Sequence, residues 1–262
     1  MRIIDAHAHI ASWPSLGKCE EVLLESLEKY GISFTLVSNA DAAEFPSVPN
    51  ARERVKDQLE CLKETVDFCK RSHGRVGAAI WIRPFYEREI PQELIDYIKE
   101  NRRYIHAFKF HPYDEKMRSN DPALFPYYEL ALELGLPFLV HTAADEWSRI
   151  DDLAEMAGKY PDLIFIAAHL ELCSDNERAI EVMKAHPNIF GDTAWVPMEK
   201  ALKCMQECGA DHLMFGTDNP IDGLDTLNNP MYREYYENAY GLSEEDLEAL
   251  MFGNAMRIYG IP

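Results

Sequence analysis

Two histidines one residue apart introduce the chemistry of this chain. In MRIIDAHAHI (residues 1–10), Ile3, Ile4 and the alanines form the apolar body of a buried strand, and His7 and His9 stand at its C-terminal end. Residues two apart project to the same side of a strand. Two imidazoles held side by side suit a borderline metal such as zinc, and they equally suit a hydrogen-bonded core pair. The rest of the chain weighs between these. Lys109 and His111 end IHAFKF and the residue after it, His141 ends LPFLVHT, His169 ends LIFIAAH, and Asp218 ends HLMFGTD. Five of the nine histidines therefore close apolar runs, together with an aspartate. Three neutral imidazoles and a carboxylate can hold a divalent ion and leave a position for water. Such an ion lowers the pKa of that water to about 7. A neighbouring carboxylate can move its proton, and the ion or an imidazolium can polarise a carbonyl.

These residues need elements that bring strand ends to one place. The apolar runs are IIDAHAHI, SFTLVS, VGAAIWI, IHAFKF, LPFLVHT, LIFIAAH, NIFGDTA and HLMFGTD. Between them lie helical patterns over about 19–30, 51–72, 90–100, 122–134, 148–159, 174–185 and 197–208. Helices near 231–239 and 243–252 and a turn at 254–259 close the chain, with Ser243 and Asp246 forming a capping-box variant. Eight strands alternating with helices imply a parallel sheet, and right-handed crossovers close eight such units into a barrel. A doubly wound sheet would place a glycine-rich phosphate loop after the first strand, where this chain has Ile10-Ala-Ser-Trp-Pro. The expectation is an α/β fold, a single-domain (β/α)8 TIM barrel over 1–262. Its active face lies at the C-terminal strand ends.

Composition bounds the partners. The 262 residues are 47% hydrophobic, enough for a sizeable core, either as one α/β barrel or as two smaller domains. Asp+Glu is 45 against Lys+Arg 26, a net charge of -19, which argues against nucleic acid or an anionic membrane as partner. No apolar run reaches the ~20 residues of a membrane span, and no signal-like segment opens the sequence. A soluble, cytoplasmic protein is expected. The six cysteines form no CxxC and read as buried reduced thiols.

The ordered motifs IIDAHAH, FKFHP, LVHT, AAHLE, FGTDNP and GNAMRIYGI resemble the amidohydrolase superfamily over nearly the whole chain. The resemblance is to its amidohydrolase-related branch, which includes aminocarboxymuconate semialdehyde and resorcylate-type decarboxylases and lactone hydrolases. It implies His7, His9 and His141 as metal ligands. It implies Asp218 as ligand and proton shuttle, and His169 as second-metal ligand or substrate-polarising catalytic group. Lys109 is a substrate contact, a carbamate bridging two metals, or a structural lysine. His111 is a substrate contact or a support for the ligands. Arg83 and Trp13 sit where loops meet the pocket mouth, and Trp195 could line an apolar wall. Asp5 supports a ligand imidazole or satisfies backbone, while His73, His106, His186 and His212 read as structural or exposed. The 220–230 loop is a wall or lid.

The leading expectation is a metal-dependent hydrolase of a small cyclic ester or amide, or a related carboxylated compound, with one zinc ion. A non-oxidative decarboxylase on the same site is the alternative. A binuclear phosphoesterase-like hydrolase, with Lys109 carbamylated, is the third reading. The resemblance also suggests a homodimer.

Overall fold

Each apolar run in the sequence becomes a strand, because β-branched and aromatic residues flanked by helical segments bury best in a parallel sheet. A computed structural model describes residues 1–47, 53, 55–220 and 223–261. The strands are β1 (Ile4–Ile10), β2 (Phe34–Asn39), β3 (Val76–Trp81), β4 (Ile105–Phe110), β5 (Phe138–Ala143), β6 (Phe165–Leu172), β7 (Ile189–Asp192) and β8 (Leu213–Met214). They pair in sequence order, all parallel. The helices between them are α1 (Leu16–Tyr30), α2 (Gln58–Arg71), α3 (Gln92–Glu100), α4 (Pro112–Glu115), α5 (Phe125–Leu134), α6 (Ile150–Lys159), α7 (Glu177–Ala185) and α8 (Met198–Cys208). The chain then adds α9 (Met231–Tyr236), α10 (Glu244–Glu248) and α11 (Asn254–Tyr259). This is the (β/α)8 barrel that the strand-and-helix alternation predicts.

The sheet curls until its two ends meet. Ala6 N–H donates to Phe215 O at 2.8 Å, Asp218 N–H to His7 O at 2.7 Å, and His9 N–H to Asn219 O at 2.9 Å. The Asp5 carboxylate pins the same seam. It accepts from the His7 amide at 3.1 Å, the Thr217 amide at 3.0 Å and the Thr217 hydroxyl at 2.6 Å. Complete burial nevertheless pushes the Asp5 carboxyl up to about 7, outweighing those hydrogen bonds. So Asp5 satisfies backbone and hydroxyl at the seam rather than bonding an imidazole.

Two apolar layers hold the barrel. One lies between strands and helices, where Val37, Ile80, Phe108, Val140 and Ala167 meet helix residues such as Leu23, Val66 and Leu153. The other fills the barrel's lower interior with Ile4, Leu36, Leu139, Ile166 and Met214, plugged by Ile258 and Tyr259 of α11. His106 Nδ1–H donates to Tyr259 O at 2.9 Å, which gives that histidine its structural role.

Some boundaries differ from the sequence reading. The helix expected from residue 51 begins at Gln58, where the Asp57 side chain caps the Glu60 amide. Residues 51, 52 and 54 lie outside the described residues. The short α4 was not anticipated; His111 caps it and Pro112 opens it. The eighth strand pairs only over Leu213–Met214, and the chain beyond crosses to β1. No helix among the described residues is long and apolar enough to cross a membrane.

Candidate active site

The upper ends of β1, β4, β5 and β6 and the segment after β8 bring His7, His9, Lys109, His111, His141, His169 and Asp218 to one end of the barrel. Two backbone irregularities aim them. The β1–β2 register shifts between Asp5 and Ala8, and such irregularities redirect side chains. In β6, His169, Leu170 and Glu171 all have positive φ, 68°, 46° and 68°, which turns the strand end. Asp218 itself sits at φ 64°. Non-glycine residues held in this region cost energy and cluster at functional sites.

The ligand atoms converge. His7 Nε2 lies 3.1 Å from His9 Nε2 and 3.4 Å from Asp218 Oδ1. His9 Nε2 lies 2.9 Å from the same oxygen. His7, His169 and Asp218 offer three ligand atoms all within 4.8 Å of one another. The hydrogen bonds on the far side of each ring say which nitrogen is free. His7 Nδ1 faces Asp192 Oδ2 at 2.8 Å, so it carries the proton. His169 Nδ1 faces the Ala194 carbonyl at 3.1 Å and can only donate to it. His9 Nδ1 lies 2.9 Å from Ser38 Oγ, a hydroxyl that donates or accepts and so serves either tautomer of His9. His7 and His169 therefore present an Nε2 lone pair to the centre, the state a metal ligand needs, while His9 Nε2 hydrogen-bonds Asp218 Oδ1. Burial holds His7 well below the ordinary imidazole range and His169 down to about 4, so both are neutral at pH 7. Burial alone would raise the Asp218 carboxyl, but the His9 hydrogen bond and the neighbouring imidazoles hold it well below the ordinary range. This donor set fits a divalent cation.

His141 stands apart from the tightest group. It packs its ring on His111, centroids 3.9 Å apart, and edge-on to His169 at 4.8 Å. Among the described residues no group hydrogen-bonds the ring. His111 in turn stacks on Trp81 with ring planes 5° apart. His111 Nδ1 accepts from the Asp114 amide at 3.2 Å, which puts the His111 proton on Nε2. It is thus built to donate, in the opposite sense to the ligand imidazoles.

Lys109 is completely buried beneath these rings. Its ammonium donates to His7 Nε2 at 2.9 Å, and desolvation drops its pKa to about 8 despite Asp218, Asp192 and Asp114 nearby. A cavity of about 280 Å3 opens above the cluster, near the small end of ligand pockets at roughly 300–1,000 Å3. His9, Trp13, Trp81, His111, His141 and Asp218 line it. Pro220 and Gly223 of the 220–230 loop line it too, while residues 221 and 222 lie outside the described residues.

Two expectations change. Arg83 does not reach the cavity lining; its guanidinium pairs with Glu87 at 3.0 Å, one turn on. Trp195 is no apolar wall. Its indole N–H donates to Asp218 Oδ2 at 2.9 Å. Asp192 was not singled out at all. Buried at the end of β7, it accepts from His7 Nδ1, the His169 amide at 3.0 Å and the Ala194 amide at 3.1 Å. Its place closing the seventh apolar run, as Asp218 closes the eighth, was the available signal.

An amidohydrolase family model matches residues 4–261. No curated protein sequence matches the chain. Solved structures share the fold at low identity. 5-Carboxyvanillate decarboxylase from Sphingomonas paucimobilis superposes with a TM-score of 0.71 at 12% identity, covering 100% of this chain and 99% of that one. 2,6-Dihydroxybenzoate decarboxylase complexed with 2,6-dihydroxybenzoate gives 0.72 at 14%, covering 99% and 100%. 4-Oxalomesaconate hydratase from Rhodopseudomonas palustris gives 0.70 at 16%, covering 98% and 95%.

Proposed function

We propose a hydrolytic function from one premise: the chain belongs to the amidohydrolase family across residues 4–261. The reading is a metal-dependent hydrolase acting on a small cyclic ester or amide. The observation that carries it is the convergence of three imidazole Nε2 atoms, each with a partner at Nδ1, on the Asp218 carboxylate.

His7, His9, His169 and Asp218 would hold one divalent cation, and zinc suits this donor set. When bound, such a cation acidifies water and polarises a carbonyl. Asp218, kept ionised, takes the proton of the attacking water and returns it to the leaving oxygen or nitrogen. His141, neutral and facing the cavity beside His169, would complete this ligand set or hydrogen-bond the reacting carbonyl oxygen. His111 Nε2–H is a second donor, and its stacking on Trp81 and His141 fixes its plane. Trp13 covers one side of the bound molecule.

Two other readings rest on specific observations. Non-oxidative decarboxylation would use the same residues, and two fold neighbours bear decarboxylase names. A binuclear site would use Lys109, whose amine lies beside His7 and is brought by burial toward the neutral form that carbamylation requires.

Elemental analysis of protein purified without chelator tests the cation, beside a His7→Ala/His9→Ala double variant. About one zinc per chain, lost in the variant, is the expected result. About two would favour the carbamate. No transition metal, even after metal is offered, would overturn the reading. Lactones, cyclic amides and aromatic carboxylic acids, assayed for proton and carbon dioxide release, then separate hydrolysis from decarboxylation.

A further inference from the structure

His7 Nε2 has one lone pair and two claimants. The ring proton is on Nδ1, facing Asp192 Oδ2 at 2.8 Å, so the lone pair lies on Nε2. The Lys109 ammonium donates to that lone pair at 2.9 Å. The same nitrogen stands 3.1 Å from His9 Nε2 and 3.4 Å from Asp218 Oδ1, among the atoms that would hold a divalent ion. One imidazole lone pair accepts one proton donor or binds one ion, not both. A zinc–imidazole bond is about 2.0–2.1 Å long. An ion on this lone pair therefore leaves no place for the ammonium at its present distance.

Lys109 is completely buried near the end of β4, so an ammonium displaced from His7 stays close to the ion. Its Nζ lies 5.9 Å from the Trp81 ring centroid, and Asp218, Asp192 and Asp114 are the carboxylates that act on it. Two of these also engage the imidazoles: Asp192 accepts from His7 Nδ1, and Asp218 Oδ1 lies 2.9 Å from His9 Nε2. The lysine is thus a countercharge to the very carboxylates that a divalent ion would neutralise. An ion that takes His7 strips a hydrogen bond from a buried ammonium and sets like charge beside it. Both effects weaken the ion's binding.

We propose that Lys109 sets the affinity of this centre: its ammonium and a divalent ion are alternative occupants of His7 Nε2, and the ion binds by displacing the lysine. This rests on the reading of His7 as a metal ligand. It is opposite in sign to a bridging carbamate, in which Lys109 would add to the metal's ligands. It also differs from a structural lysine, whose loss would not tighten metal binding. Lys109 keeps the His7 lone pair and the carboxylates partnered without a metal, and it sets how much free metal is needed to load the site.

Chelator competition tests this, comparing zinc affinity in the parent, Lys109→Met and Lys109→Gln, with circular dichroism as the check on fold. Both neutral variants are expected to bind zinc at least about tenfold more tightly than the parent, because the competing charge is gone. A gain in either folded variant supports the proposal. A second readout needs no variant: NMR spectra of the parent, isotope-labelled at lysine Cε, are expected to show a signal moved by stoichiometric zinc. The proposal is overturned by zinc affinity unchanged or weakened in the folded neutral variants, by lysine signals that zinc leaves unmoved, or by loss of one bound ion per chain when Lys109 is replaced. Zinc bound equally well by parent and variants counts against this inference alone. No zinc bound by any of them overturns the reading of His7 as a ligand as well.

Discussion

Trp195 and Asp218 divide the work of one carboxylate. The Trp195 indole N–H holds Oδ2 at 2.9 Å, while Oδ1 lies 2.9 Å from His9 Nε2. Trp195 is itself held, its amide donating to Tyr232 Oη at 3.1 Å and that hydroxyl donating to Thr217 O at 2.8 Å. The tryptophan thus fixes which oxygen faces the imidazoles. Trp195→Phe removes the N–H and keeps most of the ring. Zinc affinity, measured by chelator competition, is expected to fall about tenfold or more, as when groups supporting a metal ligand are lost.

Asp192 does the corresponding job for the histidines, through three donors on two oxygens. In Asp192→Asn the single remaining oxygen goes to the two backbone amides, so the new NH2 faces His7 Nδ1. His7 must then accept at Nδ1 and carry its proton on Nε2, where a cation would bind. The expected outcome is zinc affinity reduced by about 10–100-fold with the circular dichroism spectrum kept. Unchanged zinc binding would show that the His7 tautomer is not set by Asp192.

Gly216 leaves room for this arrangement. A Cβ there would stand 3.1 Å from Asp192 Cβ and 3.2 Å from His7 Cβ. Gly216→Ala is expected to cost about 1–3 kcal/mol by overpacking, read as a lower urea midpoint. Zinc affinity should fall with it, because the two residues pushed are the anchor and its imidazole.

A buried acid pair behind Trp81 sets a pH dependence. Trp81 Nε1–H donates to Glu115 Oε1 at 2.9 Å, and the Glu44 amide approaches the same oxygen at 3.4 Å. Burial raises both carboxyls, Glu115 well above the ordinary range, and the facing Glu44 carboxylate raises Glu115 further. The unfolded chain loses these protons near pH 4–5, roughly the ordinary glutamate range, while the folded chain keeps them. Between that range and the raised folded values the folded state binds more protons, so stability falls as pH rises. Glu115→Gln keeps the acceptor for Trp81 and removes the titration. Its melting temperature is expected to exceed that of the parent at pH 8, with the difference shrinking toward pH 4.

Much of this architecture could be read from the chain because strand ends carry their own punctuation. The runs ending at His111, His141 and His169 are apolar, short and followed by polar loops, and they became β4, β5 and β6 with little shift. The helix from residue 51 was overextended because a polar stretch with helical spacing does not reveal where tertiary contacts begin. Lys56 leaves the helical path to meet Asp41 and Glu64, and the helix starts only after the Asp57 cap. Side-chain direction was harder still. Alternation along a strand placed His7 with His9, but His169 depends on three consecutive left-handed residues that composition does not announce. Arg83 looked like a carboxylate clamp until Glu87, four residues on, claimed it. Trp195 looked apolar because a lone tryptophan gives no hint of where its N–H points.

The seam between Asp5 and Thr217 joins positions 212 apart. During synthesis, the strand bearing His7 and His9 is therefore made first and waits for nearly the entire remaining chain before Asp218 can meet it. Contacts of such separation form late and slowly. A cation held between His7, His9 and Asp218 would therefore require a closed barrel, and the time course of metal uptake in refolding protein would report that closure.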